Sequence, residues 1–133
     1  MTDGNALDGI VVLDLTRVLA GPLCAQMLGD MGADVIKVEH PARGDDTRHW
    51  GPPFADTEAA YFLGVNRNKR SLALDFKSQA GLDVLKKLII KSDIVIDNFK
   101  PGLLDKLGLN SEWFEQQAAS VIRCSITGYG TKG

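Results

Sequence analysis

A chain of 133 residues, 44% hydrophobic and 24% charged, is the size of one α/β domain and has enough apolar residues to bury a core. Fifteen basic against seventeen acidic residues leave a formal charge of -2, so no global field draws the chain onto nucleic acid or an anionic membrane, and any anion site must be built locally. No apolar run approaches the roughly 20 residues of a bilayer span, and the opening MTDGNAL reads neither as a secretion signal nor as an Arg-rich organelle presequence, so cytoplasm is the expected compartment, or the mitochondrion where a presequence has been removed.

Residues 10–15 (IVVLDL) form a short apolar run ending near a carboxylate, the pattern of a buried parallel strand. Residues 20–31 place Leu23, Cys24, Met27, Leu28 and Met31 at helical spacing, opened by Gly21-Pro22 and closed near Gly32. Residues 34–39 (DVIKVE) read as a second strand, which makes a right-handed βαβ unit. The Pro-, Gly-, Asp- and Arg-rich stretch 40–54 is expected to be a surface loop, followed by a short helix over 59–65 and a polar turn over 66–70. A strand over 71–75, a helix capped by Ser78 and running to Ile89, and a strand over 94–97 come next. Two short helices, 101–107 stopped by Gly108 and 111–119 opened by Ser111, lead to a last strand over 121–126. This order predicts an α/β fold: a Rossmann-like open, mainly parallel sheet with helices on both faces, in a single lobe over 1–133.

Such sheets bind ligands outside the carboxyl ends of their strands, here residues 16–21, 39–48, 76–78, 98–102 and 127–130. Glu39 stands about where a dinucleotide site keeps its ribose-binding acid, but the first turn reads T-R-V-L-A-G-P and lacks G-x-G-x-x-G. The chain also lacks G-x-S-x-G, P-loop and H-E-x-x-H signatures. Arg67, Lys69 and Arg70 could pair a phosphate, although composition favours a solvated turn, and Arg43 and Arg48 are read with the same reserve. Phe76 and Phe99, each just past a strand end, could flank a planar ring or belong to the core. Asp14, Asp75 and Asp97 are placed as strand-end carboxylates, and holding loop amides is the preferred role. Cys24 and Cys124 read as core residues, and His40 and His49 have no companions at metal-ligand spacing, so no metal site is expected.

Taken in order, residues 7–41 (LDGIVVLDLTRVLAGPLCAQMLGDMGADVIKVEHP), GDDTRHWGPPF, NRNKRSLALDFK, SDIVIDNFKPG and CSITGYG resemble the opening of the class III CoA-transferases, and the TRHWGPPF and CSITGYG blocks resemble the branch that moves CoA between dicarboxylates. The resemblance implies a CoA-binding Rossmann-like lobe, part of the large domain of that fold, with CoA or acyl-CoA as substrate and no further cofactor. It implies contacts to CoA from Val18, Leu19 and Ala20, from His40, from Leu74, Asp75, Phe76 and Lys77, and from Asn98, Phe99 and Lys106. His40 stands where formyl-CoA transferases carry an arginine and Leu19 where they carry a glutamine, which points away from formyl or oxalyl substrates. An interlocked homodimer is implied, as are an acyl-CoA donor and a carboxylic-acid acceptor, and a catalytic aspartate that forms a covalent intermediate. That aspartate is expected downstream of the GYG motif, so the chain is read as an N-terminal fragment, inactive alone. The runners-up are an α-methylacyl-CoA racemase of the same superfamily and a truncated CoA-binding or dimerisation module.

Overall fold

The computed structural model describes residues 4–132. β1 (Val11–Asp14), α1 (Ala20–Asp30) and β2 (Asp34–Glu39) form the expected βαβ unit, with Val12 opposite Val35 in parallel register. The following loop is less irregular than its composition suggests. It holds one 3-10 turn (Asp46–His49) and a small antiparallel hairpin of β3 (Phe54–Ala55) and β4 (Glu58–Ala59), then α2 (Ala60–Gly64).

β5 (Lys69–Ala73) starts inside the segment expected to be a polar turn and pairs with β2, Lys69 opposite Val35. The strand accommodates these charges because each has a partner: Lys69 Nζ bonds Asp14 Oδ2 at 2.9 Å, and Arg70 forks onto Asp34. α3 (Gln79–Ile90) is capped by Ser78, whose hydroxyl accepts from the Gly81 amide at 3.1 Å. It returns the chain to β6 (Ile94–Asp97) on the far side of β1. α4 (Leu103–Lys106) and α5 (Ser111–Gln117) precede β7 (Ile122–Ser125). The cap of α5 is Asn110 rather than Ser111, since the Asn110 side chain accepts from Trp113 N at 2.9 Å.

The five main strands are all parallel, in the order β5-β2-β1-β6-β7. Alternation along the strands sends side chains to two layers. Leu13, Leu15, Val38 and Val95 pack with Leu85 and Ile89 of α3 and with Phe114, while Val12, Val35 and Ile96 pack with Ala25 of α1. The chain therefore winds outward from β1 in both directions, which makes the gap above β1 and β6 the topological switch point. Among the described residues, no helix is long and apolar enough to cross a membrane.

Candidate ligand crevice at the switch point

The loop leaving β1 is the first element of this gap, and side chains from elsewhere hold its backbone. Asp14 Oδ1 accepts from the Thr16 amide at 2.9 Å and also from the Thr16 hydroxyl. Lys37 Nζ donates to Thr16 O at 3.0 Å. Asn98, just past β6, accepts from Arg17 N at 3.0 Å and donates to Arg17 O at 2.7 Å. Val18 takes φ 71, a left-handed conformation unfavourable for a β-branched residue, and its amide points at the Asp45 carboxylate, 3.3 Å away. Five backbone groups in three residues are thus satisfied by four side chains.

Two adjoining openings lie over this loop and share Arg17, Lys77, Phe99 and Leu103. The smaller, about 160 Å³, is also lined by His40, Arg43, Leu74, Asp75 and Phe76. The larger, about 580 Å³, adds Val18, Asn98, Lys100, Pro101 and Lys106. Apolar walls with a rim of cations suit a ligand that carries both a planar or apolar part and anionic groups.

Of the residues marked from sequence, Val18, His40, Leu74, Asp75, Phe76, Lys77, Asn98, Phe99 and Lys106 line this crevice. Leu19 and Ala20 do not. Leu19 caps α1 at the point where the chain turns out of the crevice, and at one-turn spacing it joins Leu23, Met27 and Met31 on an exposed face. Phe76 and Phe99 do not form a parallel slot, because their rings meet edge to face at 5.8 Å and 61°. Arg17 and Lys100 line the crevice without having been singled out in the sequence, although position alone placed both in strand-end loops.

The strand-end aspartates are occupied. Asp75 Oδ1 accepts from the Lys77 amide at 3.1 Å, and Asp97 accepts from the Phe99 amide at 3.2 Å and from Ser125 Oγ at 2.6 Å. Asp14 also carries the ion pair to Lys69, whose ammonium donates further to Pro22 O and Asn66 Oδ1. Burial pushes the Lys69 ammonium below its ordinary value, against the pull of Asp14. Arg67 pairs with Asp30 of α1 at 2.6 Å, so the basic cluster around β5 is paired with carboxylates of α1, β1 and β2.

Glu39, at the end of β2, is buried and accepts a two-pronged contact from Arg48, 2.8 Å from Nε and 2.7 Å from Nη2, besides Ser71 Oγ and the Asp45 amide. Burial alone would raise its carboxyl, but Arg48, Ser71 and the Asp45 amide together outweigh it and hold the group at about 2. Arg48 lies 3.8 Å from the centroid of the Phe62 ring and reaches Glu58 at 3.0 Å. Neither Glu39 nor Arg48 is left to bind a ribose or a phosphate. Asp45 is likewise held below the usual carboxylate range: desolvation opposes ionisation, and Lys37 with the Thr47 amide and hydroxyl overcomes it. The two cysteines pack against the α1-side core, where burial, with Cys124 next, raises the Cys24 thiol.

An open parallel sheet with a cation-rimmed crevice over its switch point makes this a Rossmann-like α/β lobe. Residues 7–133 match the family model for CoA-transferase family III, and the chain belongs to that family. It is 50% identical over 133 residues to a succinyl-CoA:glutarate CoA-transferase of Homo sapiens, covering 100% of this chain and 30% of that protein. It is also 50% identical to a succinate--glutarate CoA-transferase of Agrobacterium fabrum, covering 96% of this chain and 33% of the other. A crystal structure of a CAIB/BAIF family protein from Brucella suis superposes with a TM-score of 0.91 at 49% identity, over 98% of this chain and 35% of that one. The chain thus spans about a third of the length of these relatives.

Proposed function

We propose that the chain is the CoA-binding lobe of a CoA-transferase that moves CoA from an acyl-CoA donor, succinyl-CoA or a close analogue, to a dicarboxylic acid. The observation that carries this reading is the crevice itself. In a chain of this family, residues from four strand-end loops converge over the switch point as apolar walls with a rim of cations. The dicarboxylate is supported by the names of the relatives at 50% identity.

The transfer itself is proposed to run through an aspartate carboxylate that attacks the thioester carbonyl. The C–S bond breaks, CoA leaves as thiolate, and a mixed anhydride forms. The thiolate then attacks the aspartyl carbonyl and releases the donor acid. The acceptor carboxylate displaces CoA from the aspartyl thioester, and CoA thiolate attacks the acceptor acyl carbon to free the aspartate. Asp14 and Asp97 are poor candidates for that nucleophile, being buried and bonded to groups of the fold. This lobe is proposed to supply binding and orientation rather than the nucleophile.

Calorimetric titration of the chain with CoA, run beside a transfer assay with succinyl-CoA and glutarate, tests the reading. Binding without turnover is expected. A folded chain that ignores CoA overturns the proposal, and turnover by the chain alone would return the nucleophile to one of its own aspartates.

A further inference from the structure

Arg17 is a cation of the crevice whose backbone is clamped by side chains from other elements. Both of its backbone polar groups are clamped by one side chain, Asn98, at 3.0 and 2.7 Å. The residues on either side are fixed as well, Thr16 by Asp14 and Lys37 and Val18 by Asp45. Arg17 lines both openings and lies 5.9 Å from the Phe99 ring centroid, and among the described residues its guanidinium forms no ion pair. Asp75, a carboxylate of the same crevice, is turned to the Lys77 amide. Lys77, Lys100 and Lys106 are exposed, on stems that lose rotamer freedom when they grip anything. A planar fork on a fixed base loses less, and it matches the geometry of a phosphoryl group.

We propose that Arg17 is the residue that grips an anionic oxygen group of the ligand, a phosphoryl group of CoA, and that Asn98 is a positioning residue serving this grip through the Arg17 backbone. The proposal rests on the CoA-binding reading above and adds to it a division of labour. Asn98 lines the larger opening, so a direct ligand contact is the rival role. That role would make its contribution independent of the Arg17 side chain. A positioning role makes the two interdependent.

The test is a double-mutant cycle on CoA affinity, measured by calorimetry with wild type, Arg17→Ala, Arg17→Lys, Asn98→Ala and the double variant. Each alanine variant is expected to weaken CoA binding about tenfold, the scale of one charge-assisted hydrogen bond, with Arg17→Lys recovering part of the loss. The double variant should be within about twofold of Arg17→Ala, because Asn98 has nothing left to position. Losses that multiply, or an Arg17→Ala chain that binds like wild type, overturn the proposal. The Arg17 Nε–H resonance of wild type gives a second readout that survives if Asn98→Ala does not fold: CoA should shift it, and an unmoved signal in a saturated sample overturns the grip. A folded wild type that does not bind CoA fails at the earlier step and removes the CoA-lobe reading itself.

Discussion

Asp45 Oδ2 lies 2.9 Å from Lys37 Nζ, and both side chains are shut off from solvent, 0% and 2% exposed. The pair joins the middle of β2 to the loop that follows it, and through Thr16 O and Val18 N it also holds the turn after β1. Two desolvated charges are tolerable here because each has further polar partners, Thr16 O for the ammonium and the Thr47 amide and hydroxyl for the carboxylate.

Asp45→Ala strands the Lys37 ammonium in a dry site and releases three amide or hydroxyl donors. It is expected to destabilise the fold by about 3–5 kcal/mol, the cost typical of breaking a buried pair from one side. Urea denaturation followed by far-UV circular dichroism checks this, and a loss below about 1 kcal/mol would mean the site admits water.

Acid should unfold the chain over a definite range. Glu39 is depressed from 4.5 to about 2 and Asp45 is also depressed, so both bind protons more weakly in the folded state than in the unfolded chain. The stability they contribute is complete above the unfolded value and is lost as pH falls through the folded one. Urea midpoints are expected to be flat from neutrality down to about pH 5 and to drop steeply between about pH 4.5 and 2, and Glu39→Gln should flatten that drop while lowering the midpoint at neutral pH. A midpoint that is unchanged at about pH 2.5 would show that the Arg48 fork does not hold in solution.

How much of this was legible in the sequence depends on where the relevant partners lie. β1, β2 and α3 follow from apolar runs and helical spacing within one window, because Val12, Leu13, Val35, Leu85 and Ile89 are buried for the reason their patterning suggests. By contrast, α1 stands where its spacing puts it although Leu23, Met27 and Met31 of that stripe are exposed and Ala25 and Gln26 are the buried ones. The start of β5 does not follow in this way, since Lys69 and Arg70 look like turn residues until Asp14 and Asp34, far away in the chain, neutralise them. Lys37 lies in a segment that the sequence marks only as a strand, and its partner sits in a loop that composition marks only as irregular. The rim loops of the crevice were readable from the general rule for parallel sheets. Arg17 was not, because its importance comes from a clamp by Asn98, 81 positions later. The β3–β4 hairpin has strands of two residues, too short for any alternation to register.

Gly81, near the start of α3, lies against the turn that carries Asp75, Phe76 and Lys77. A methyl group added there would overlap the Asp75 carbonyl, a backbone atom that cannot swing aside as a side chain could. Gly81→Ala is expected to cost about 1–3 kcal/mol despite the higher helix propensity of alanine, and to weaken CoA binding by moving the Lys77 side of the crevice. Thermal melts and CoA titration of the same variant check both parts. A stabilised variant would show that the α3 start packs more loosely than described.

Salt should separate the cations of the crevice by how they are held. Lys77 and Lys106 are exposed, and an exposed charge acts through water and is screened within about 10 Å at 0.1 M ionic strength. The double variant Lys77→Ala/Lys106→Ala is therefore expected to weaken CoA binding about three- to tenfold at low salt and to become nearly indistinguishable from wild type at about 1 M salt. Arg17 is half-buried beside Phe99 on a clamped backbone, so its contribution should persist under the same screening. Titrations of wild type, the lysine double variant and Arg17→Ala at both salt concentrations compare the two directly. If Arg17→Ala converges on wild type at high salt as the lysine variant does, Arg17 is acting as one more rim charge, and the clamp around it serves the fold rather than the ligand.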